Sequence, residues 1–119
     1  MIKSIKLWRN ISVVLMMAVA SLASAQAGNA DEGKKIFSTK CVTCHGPDGS
    51  GNTSAGKSLK AADLRSPDVQ KKADADFYTQ VDIGKGKMPG FGRVLNKTQI
   101  DDVVAYVRQI GGKTAGKKP

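Results

Sequence analysis

Both cysteines of the 119-residue chain and its only histidine lie in one run of five residues, Cys41-Val42-Thr43-Cys44-His45. On a helix, positions i, i+3 and i+4 share one face, so two thiols and an imidazole can address the same side of a flat group. Cys-x-x-Cys-His is the attachment sequence for c-type haem, in which both thiols add to the porphyrin vinyl groups. The rest of the chain is therefore expected to enclose one haem c, covalently bound through Cys41 and Cys44.

Three other interpretations of this pentapeptide are weaker. A short-loop disulfide would leave His45 as an unrelated surface residue. A redox dithiol of the thioredoxin type lies beside a strand-helix-strand pattern, whereas the residues before Cys41 read as helix and no alternating strand follows. A structural zinc site needs four ligands, and the pentapeptide supplies only three candidates. Haem attachment is the interpretation that accounts for all three side chains.

Residues 1–25 are predicted to be a signal peptide. They contain Lys3, Lys6 and Arg9, no acid, and then a stretch of mostly apolar and small residues that is shorter than the roughly 20 residues of a membrane span. Cleavage after Ala25 or after Ala27 fits the small-x-small pattern, and the choice stays open. We expect a soluble protein that is periplasmic or otherwise exported.

The mature chain is short of apolar residues. Residues 26–119 contain 16 basic and 10 acidic side chains, a net charge of +6, and only 17 Leu, Ile, Val and Phe residues. This composition lies in the range where chains rarely bury enough apolar surface to fold. A haem would supply the missing apolar surface. We expect one domain over residues 26–112, followed by a basic flexible tail over residues 113–119.

Counting residues limits what can occupy the sixth coordination position of the haem iron. His45 is the only histidine, so a second histidine from this chain cannot bind, and Met88 is the only methionine after the predicted signal peptide. Met88 lies in a loop rich in glycine with no helical apolar stripe, which suits a ligand better than a core gap-filler. Met88, a lysine and an open position remain as alternatives.

Three longer helices can be predicted from capping residues and apolar spacing. Asn29 can cap a helix that opens with acids and runs into the pentapeptide. Asp74 can cap a middle helix that buries Phe77 and Val81 and ends at Gly84. Asn96 can cap a last helix that ends at two glycines. Ser66-Pro67 predicts one further helical turn, and residues 46–56 are predicted to be loop. The apolar stripe of the last helix consists of Ile100, Val103, Val104, Val107 and Ile110.

These motifs together resemble the small class I c-type cytochromes of bacteria. The resemblance is carried by Gly33-x-x-Ile36-Phe37, by Cys41 to His45 followed by Gly46-Pro47, by Gly84-x-Gly86-x-Met88-Pro89-x-Phe91, and by Val104-Ala105-Tyr106-Val107-Arg108. It implies an all-α cytochrome c fold of three to five short helices around one haem, with His45 and Met88 as the axial iron ligands. It also implies that the first and last helices cross where Gly33 and Phe37 meet Tyr106.

The function implied is a single-electron carrier between respiratory or dehydrogenase partners, and not an enzyme. His/Met ligation leaves no position for dioxygen or peroxide, and the chain has no second histidine to act as a base. Two alternatives remain: a haem sensor or weak peroxidase with a labile Met88, and a fixed electron-transfer subunit of a larger oxidoreductase. We expect a monomer that docks on acidic patches of redox proteins through Lys85 and Lys87, with no nucleic-acid partner and at most weak membrane-surface contact.

Overall fold

The computed structural model describes residues 28–113. The predicted signal peptide, both candidate cleavage sites and all of the predicted tail beyond residue 113 lie outside this range. The described residues form six helical segments and one small hairpin. They are α1 (Ala30–Lys40), α2 (Val42–His45), α3 (Ser54–Leu59), α4 (Pro67–Gln70), α5 (Asp74–Ile83), β1 (Gly84–Lys85), β2 (Met88–Pro89) and α6 (Lys97–Ile110).

The predicted start of α1 is confirmed. The Asn29 side chain accepts hydrogen bonds from the backbone N–H groups of Asp31 at 3.0 Å and Glu32 at 3.3 Å, and both acids occupy the positive end of the helix dipole. The backbone N–H of Asn29 in turn donates to the Asp102 carboxylate on α6 at 2.6 Å. The N-cap residue of α1 is therefore hydrogen-bonded directly to α6.

Helices α1 and α6 cross in close contact, as the sequence predicts. The rings of Phe37 and Tyr106 pack edge to face, with centroids 5.2 Å apart. Gly33 is buried, and a Cβ atom at this position would overlap the backbone carbonyl of Asp102. The absence of a side chain at residue 33 therefore sets how closely the two helix backbones approach.

The core lies mainly between α5 and α6. The Asn96–Gln99 capping box of α6 is present, with reciprocal hydrogen bonds of 2.9 Å. Ile110 is only half-buried, whereas the other predicted stripe residues are buried. The buried cluster consists of Phe77, Val81, Leu95, Ile100, Val103, Val104 and Val107.

The predicted cap of α5 is wrong. The N-cap is Ala73, whose backbone N–H is bound by the Asp76 carboxylate at 3.2 Å. The Asp74 side chain instead pairs with the guanidinium of Arg108, at 2.7 Å from Nε. A cation on the neighbouring helix therefore outcompetes a local helix cap for this carboxylate.

Two further differences concern the loops. Residues 46–56 are not entirely loop, because Thr53 caps α3 by accepting a hydrogen bond from the Gly56 N–H at 2.8 Å. The predicted all-α class is confirmed, with a two-stranded antiparallel hairpin added that pairs Lys85 with Met88. Gly86 makes this reversal possible because its φ of +58° is strained for other residues. Within residues 28–113, no helix is long and apolar enough to cross a membrane.

We expect Gly33→Ala to destabilise the protein. Helix propensity alone would favour alanine by about 1 kcal/mol, but the new methyl group must push the Asp102 carbonyl away, at a cost of about 1–3 kcal/mol. Chemical denaturation of the holoprotein measures the difference. Lys34→Ala, on the exposed side of the same helix, is the control and should have little effect. An equally or more stable Gly33→Ala variant would contradict the packing argument.

Candidate functional site

The two thiols and the imidazole of the pentapeptide lie within one helical turn. Cys41 is the C-cap of α1 and the N-cap of α2, and α2 carries Cys44 and His45. Both cysteines are half-buried free thiols, so the disulfide alternative is not what the structure adopts. Burial raises the pKa of the Cys41 thiol to about 11. Neither sulfur is in a disulfide, so both could form thioether bonds.

A backbone carbonyl orients the imidazole of His45. Its Nδ1 lies 3.2 Å from the carbonyl oxygen of Ala62, and because a carbonyl only accepts hydrogen bonds, Nδ1 carries the proton and Nε2 is the basic nitrogen. Burial lowers the pKa of His45, and the hydrogen bond to Ala62 opposes this shift. The ring is thus held in the tautomer that can ligate a metal through Nε2.

The loop after α2 is hydrogen-bonded to the turn that carries Cys44 and His45. The Thr53 hydroxyl lies 2.7 Å from the Thr43 carbonyl and 3.0 Å from the Cys44 carbonyl. The Gly51 N–H donates to the His45 carbonyl at 2.7 Å. These bonds occupy the carbonyl groups at the end of α2, so the segment that leads to Ala62 starts from a fixed point.

Met88 lies on the hairpin that follows α5. The hairpin returns against the end of α5, where the Phe91 N–H donates to the Val81 carbonyl at 2.7 Å and the Gly92 N–H donates to the Asp82 carbonyl at 3.0 Å. Met88 is half-buried and packs against the cluster between α5 and α6. The glycine-rich segment is therefore an ordered hairpin with defined contacts.

Gln80 contacts the Met88 thioether. Its side-chain Nε2 donates to Met88 Sδ at 3.6 Å. A thioether sulfur has two lone pairs, so this bond leaves one of them for a metal. Sequence reasoning missed both Ala62 and Gln80. A backbone acceptor leaves no side-chain signal, and an eight-residue separation from Met88 matches no local motif.

The residues present fit a haem. Two free thiols, an imidazole fixed by Nδ1 and a soft thioether are the donor set of a c-type haem site. Several apolar side chains around the core remain incompletely buried, which suits an apolar prosthetic group. Those packed against the buried cluster are Ile36, Leu64, Val69, Tyr78, Met88 and Phe91.

The structure brings Cys41, Cys44 and His45 together in one turn and places Met88 on a separate element. Leu64, two residues beyond the His45 partner Ala62, packs against the same cluster as Met88. Among the described residues, no group of three or more His, Cys, Asp and Glu side chains forms a metal cluster.

Comparison with known proteins agrees with this description. Residues 28–107 match the family described as cytochrome c oxidase, cbb3-type, subunit III. The chain is 38% identical over 100 residues to cytochrome c6 of Gloeothece citriformis, covering 82% of this chain and 86% of the relative. It is 39% identical over 95 residues to cytochrome c6 of Rippkaea orientalis, covering 80% and 83%.

Solved structures show the same fold. The KustC0563 c-type cytochrome superposes with a TM-score of 0.62 at 30% identity, covering 66% of this chain and 95% of that one. Cytochrome c6 from the diatom Phaeodactylum tricornutum gives a TM-score of 0.55 at 30% identity, covering 71% and 97%. The chain therefore belongs to the small monohaem class I c-type cytochromes, electron carriers with one covalently bound haem c.

Proposed function

We propose that this chain carries single electrons on a haem attached through Cys41 and Cys44, with His45 and Met88 as the two axial ligands of the iron. The observation that carries the proposal is the hydrogen bond from His45 Nδ1 to the Ala62 carbonyl. It leaves Nε2 as the unprotonated nitrogen that can bind a metal, and it restrains the orientation of the ring. A histidine that served only as a surface residue would not need this restraint.

The haem, when bound, supplies a metal that changes its charge by one without any bond to substrate. The chain's own residues determine how easily this happens. Paired His and Met ligands raise the reduction potential relative to two histidines. The thioether bonds from Cys41 and Cys44 would hold the group in place, and the packing of Met88 against the apolar core would limit the contact of its side chain with water.

The Met88 hairpin supports firm ligation in preference to a labile one. Two backbone hydrogen bonds join it to the end of α5, and Gln80 binds the sulfur. Withdrawing Met88 would expose its apolar side chain to water and break the contact with Gln80. This argues for the carrier against the sensor or weak-peroxidase alternative.

A fixed subunit of a larger oxidoreductase is the second candidate, because the matching family takes its name from an oxidase subunit. The cytochrome c6 relatives are matched over 83–86% of their own length. The chain is therefore comparable to these small carriers over most of their extent. We propose a monomeric carrier, exported to the periplasm or an equivalent compartment and working in a respiratory or dehydrogenase chain.

We propose that redox partners dock with acidic surfaces against the Met88 hairpin. Lys85 and Lys87 flank Met88, both are exposed, and neither forms an ion pair with another described residue. Arg93, a few residues later, is also exposed and unpaired within the described range. Cations without local partners contribute fully to the field that steers an acidic protein into contact.

Met88→Ala tests the distal ligand. The variant should retain covalent haem, since Cys41, Cys44 and His45 are unchanged, but its reduction potential should fall and its ferrous form should bind carbon monoxide at neutral pH. Absorbance spectra and a redox titration measure these changes. Lys34→Ala, at an exposed position on α1, is the control and should behave like the wild type. Equal carbon monoxide uptake by the wild type and Met88→Ala would favour the sensor or peroxidase function.

Cys41→Ala and Cys44→Ala test the attachment. Each removes one thioether bond from a chain that is poor in core residues, so the yield of mature holoprotein should fall severely. Haem staining after denaturing electrophoresis reports covalent attachment, and circular dichroism reports helix content. Ser38→Ala, on the exposed side of α1, is the control. A double cysteine variant with full helix content and no haem would contradict the proposed dependence of folding on attachment.

Charge reversal tests the docking surface. In Lys85→Glu/Lys87→Glu, the rate of electron transfer with an acidic redox partner should fall about tenfold at low ionic strength, and the difference should shrink as salt screens the charges. Stopped-flow measurement over a salt series gives both results. The control variant Lys34→Glu/Lys40→Glu makes the same change in net charge, but on α1. An equal loss in both variants would show that total charge, and not the hairpin, steers the partner.

A further inference from the structure

A surface groove lies beside the Met88 hairpin, between the end of the α4–α5 connection, α5 and the start of β1. Its volume is about 340 Å³, at the lower end of the roughly 300–1,000 Å³ typical of small-molecule sites. It has room for a small hydrated ion. The residues that line it are Lys72, Asp76, Thr79, Gln80, Gly84 and Lys85.

The charged residues of this groove are two lysines and one aspartate. Lys72 and Lys85 are exposed and form no ion pair with another residue of the described range. Asp76, the only acid in the lining, accepts the backbone N–H of Ala73 at the start of α5 at 3.2 Å. This hydrogen bond does not cancel the charge of the carboxylate, so the two lysines and Asp76 together give the lining a net charge of +1.

Gln80 connects the groove with the proposed iron ligand. It lines the groove, and its Nε2 donates one hydrogen to Met88 Sδ at 3.6 Å. A carboxamide nitrogen carries two hydrogens, so one remains for a second acceptor. The hydroxyl of Thr79 adds a further donor to the lining. The groove thus offers two cations and two neutral donors to a group that has several acceptor oxygens.

We propose that this groove binds a small oxyanion of the phosphate class between Lys72 and Lys85, and that Gln80 couples the bound anion to Met88. Several oxygen acceptors on one centre can accept charge-assisted hydrogen bonds from both ammonium groups and a hydrogen bond from the Gln80 amide. The binding itself does not depend on the ligation proposed above, whereas the coupling rests on it.

The sign of the coupling follows from charge. The oxidised protein carries one more positive charge than the reduced protein, so an anion beside Gln80 and Met88 stabilises the oxidised form. Phosphate should therefore lower the reduction potential. By thermodynamic reciprocity, the oxidised protein binds phosphate more tightly than the reduced protein by the same factor that describes the shift in potential.

The groove and the docking surface share Lys85, but each also has a lysine that the other lacks. Lys85 belongs to both, but Lys72 lines only the groove and Lys87 lies only on the hairpin. Lys87→Ala removes the same charge a short distance away and is therefore the matched control for Lys72→Ala.

The binding test uses isotope-labelled ferrous holoprotein at neutral pH. Inorganic phosphate replaces sodium chloride at constant ionic strength while the side-chain amide signals of Gln80 are followed by nuclear magnetic resonance. We expect a saturable shift, an affinity about fivefold weaker in Lys72→Ala and in Lys85→Ala, and an unchanged affinity in Lys87→Ala. A shift that never saturates, or one that persists in Lys72→Ala/Lys85→Ala, would overturn the site.

The coupling test is a redox titration of the same samples with and without phosphate. The potential should fall in the wild type and in Lys87→Ala, and stay constant in Lys72→Ala/Lys85→Ala. Saturable binding with an unchanged wild-type potential would overturn the coupling. The sulfur-to-iron charge-transfer band of the oxidised sample reports Met88 ligation independently, so a failure of the coupling can be distinguished from a failure of the proposed ligand set.

Discussion

The position of α6 between α1 and α5 is the constraint on which the proposed ligands depend. Helix α1 leads directly into His45, and it is held against α6 by Gly33 and by the packing of Phe37 on Tyr106. Helix α5 leads directly into the Met88 hairpin and packs against α6 through the buried cluster. The segments that carry the proposed ligands His45 and Met88 are therefore both positioned by α6, although the two residues are 43 positions apart in the chain.

A buried polar cluster holds the α4–α5 connection against α6. Arg108 donates to the carbonyls of Gln70 at 2.7 Å and Lys72 at 2.5 Å, pairs with Asp74, and stacks 4.5 Å above the ring of Phe77. The Gln70 amide binds the carbonyls of Leu64 and Val107. A buried guanidinium is costly unless its donors are satisfied. Because its acceptors belong to the α4–α5 connection, that connection has one favourable position against α6.

The sequence predicted the elements that local chemistry determines. Asn29 and Asn96 cap α1 and α6, and the apolar spacing of α6 identifies its buried side, because caps and periodicity depend on neighbours within one or two turns. Tertiary competition accounts for one error, because Asp74 pairs with Arg108 in place of capping α5. The helix that Thr53 caps is a different case, because this cap is a local interaction within a glycine-rich segment that was predicted to be loop.

The pentapeptide and the count of methionines named the candidate ligands, but the groups that orient them could not be read from the chain. Ala62 acts through its carbonyl, and its pairing with His45 depends on the path of a loop that Thr53 fastens. Gln80 reaches Met88 only because the hairpin folds back on α5. The identity of a side chain therefore predicts candidate iron ligands, whereas the fold determines which other residues orient those ligands.

The distribution of ion pairs explains why the net charge can act on a partner. Six of the ten acids form ion pairs with lysine or arginine: Glu32, Asp48, Asp63, Asp68, Asp74 and Asp101. Apart from the pair with Arg108, these contacts are mostly solvent-exposed and contribute little to stability. They place six negative charges beside cations, whereas Lys85 and Lys87, which lie next to Met88 in the hairpin, have no ion-pair partner among the described residues. Within a screening length of about 8–10 Å, a partner approaching the hairpin therefore encounters two lysines that form no ion pair with a described acid.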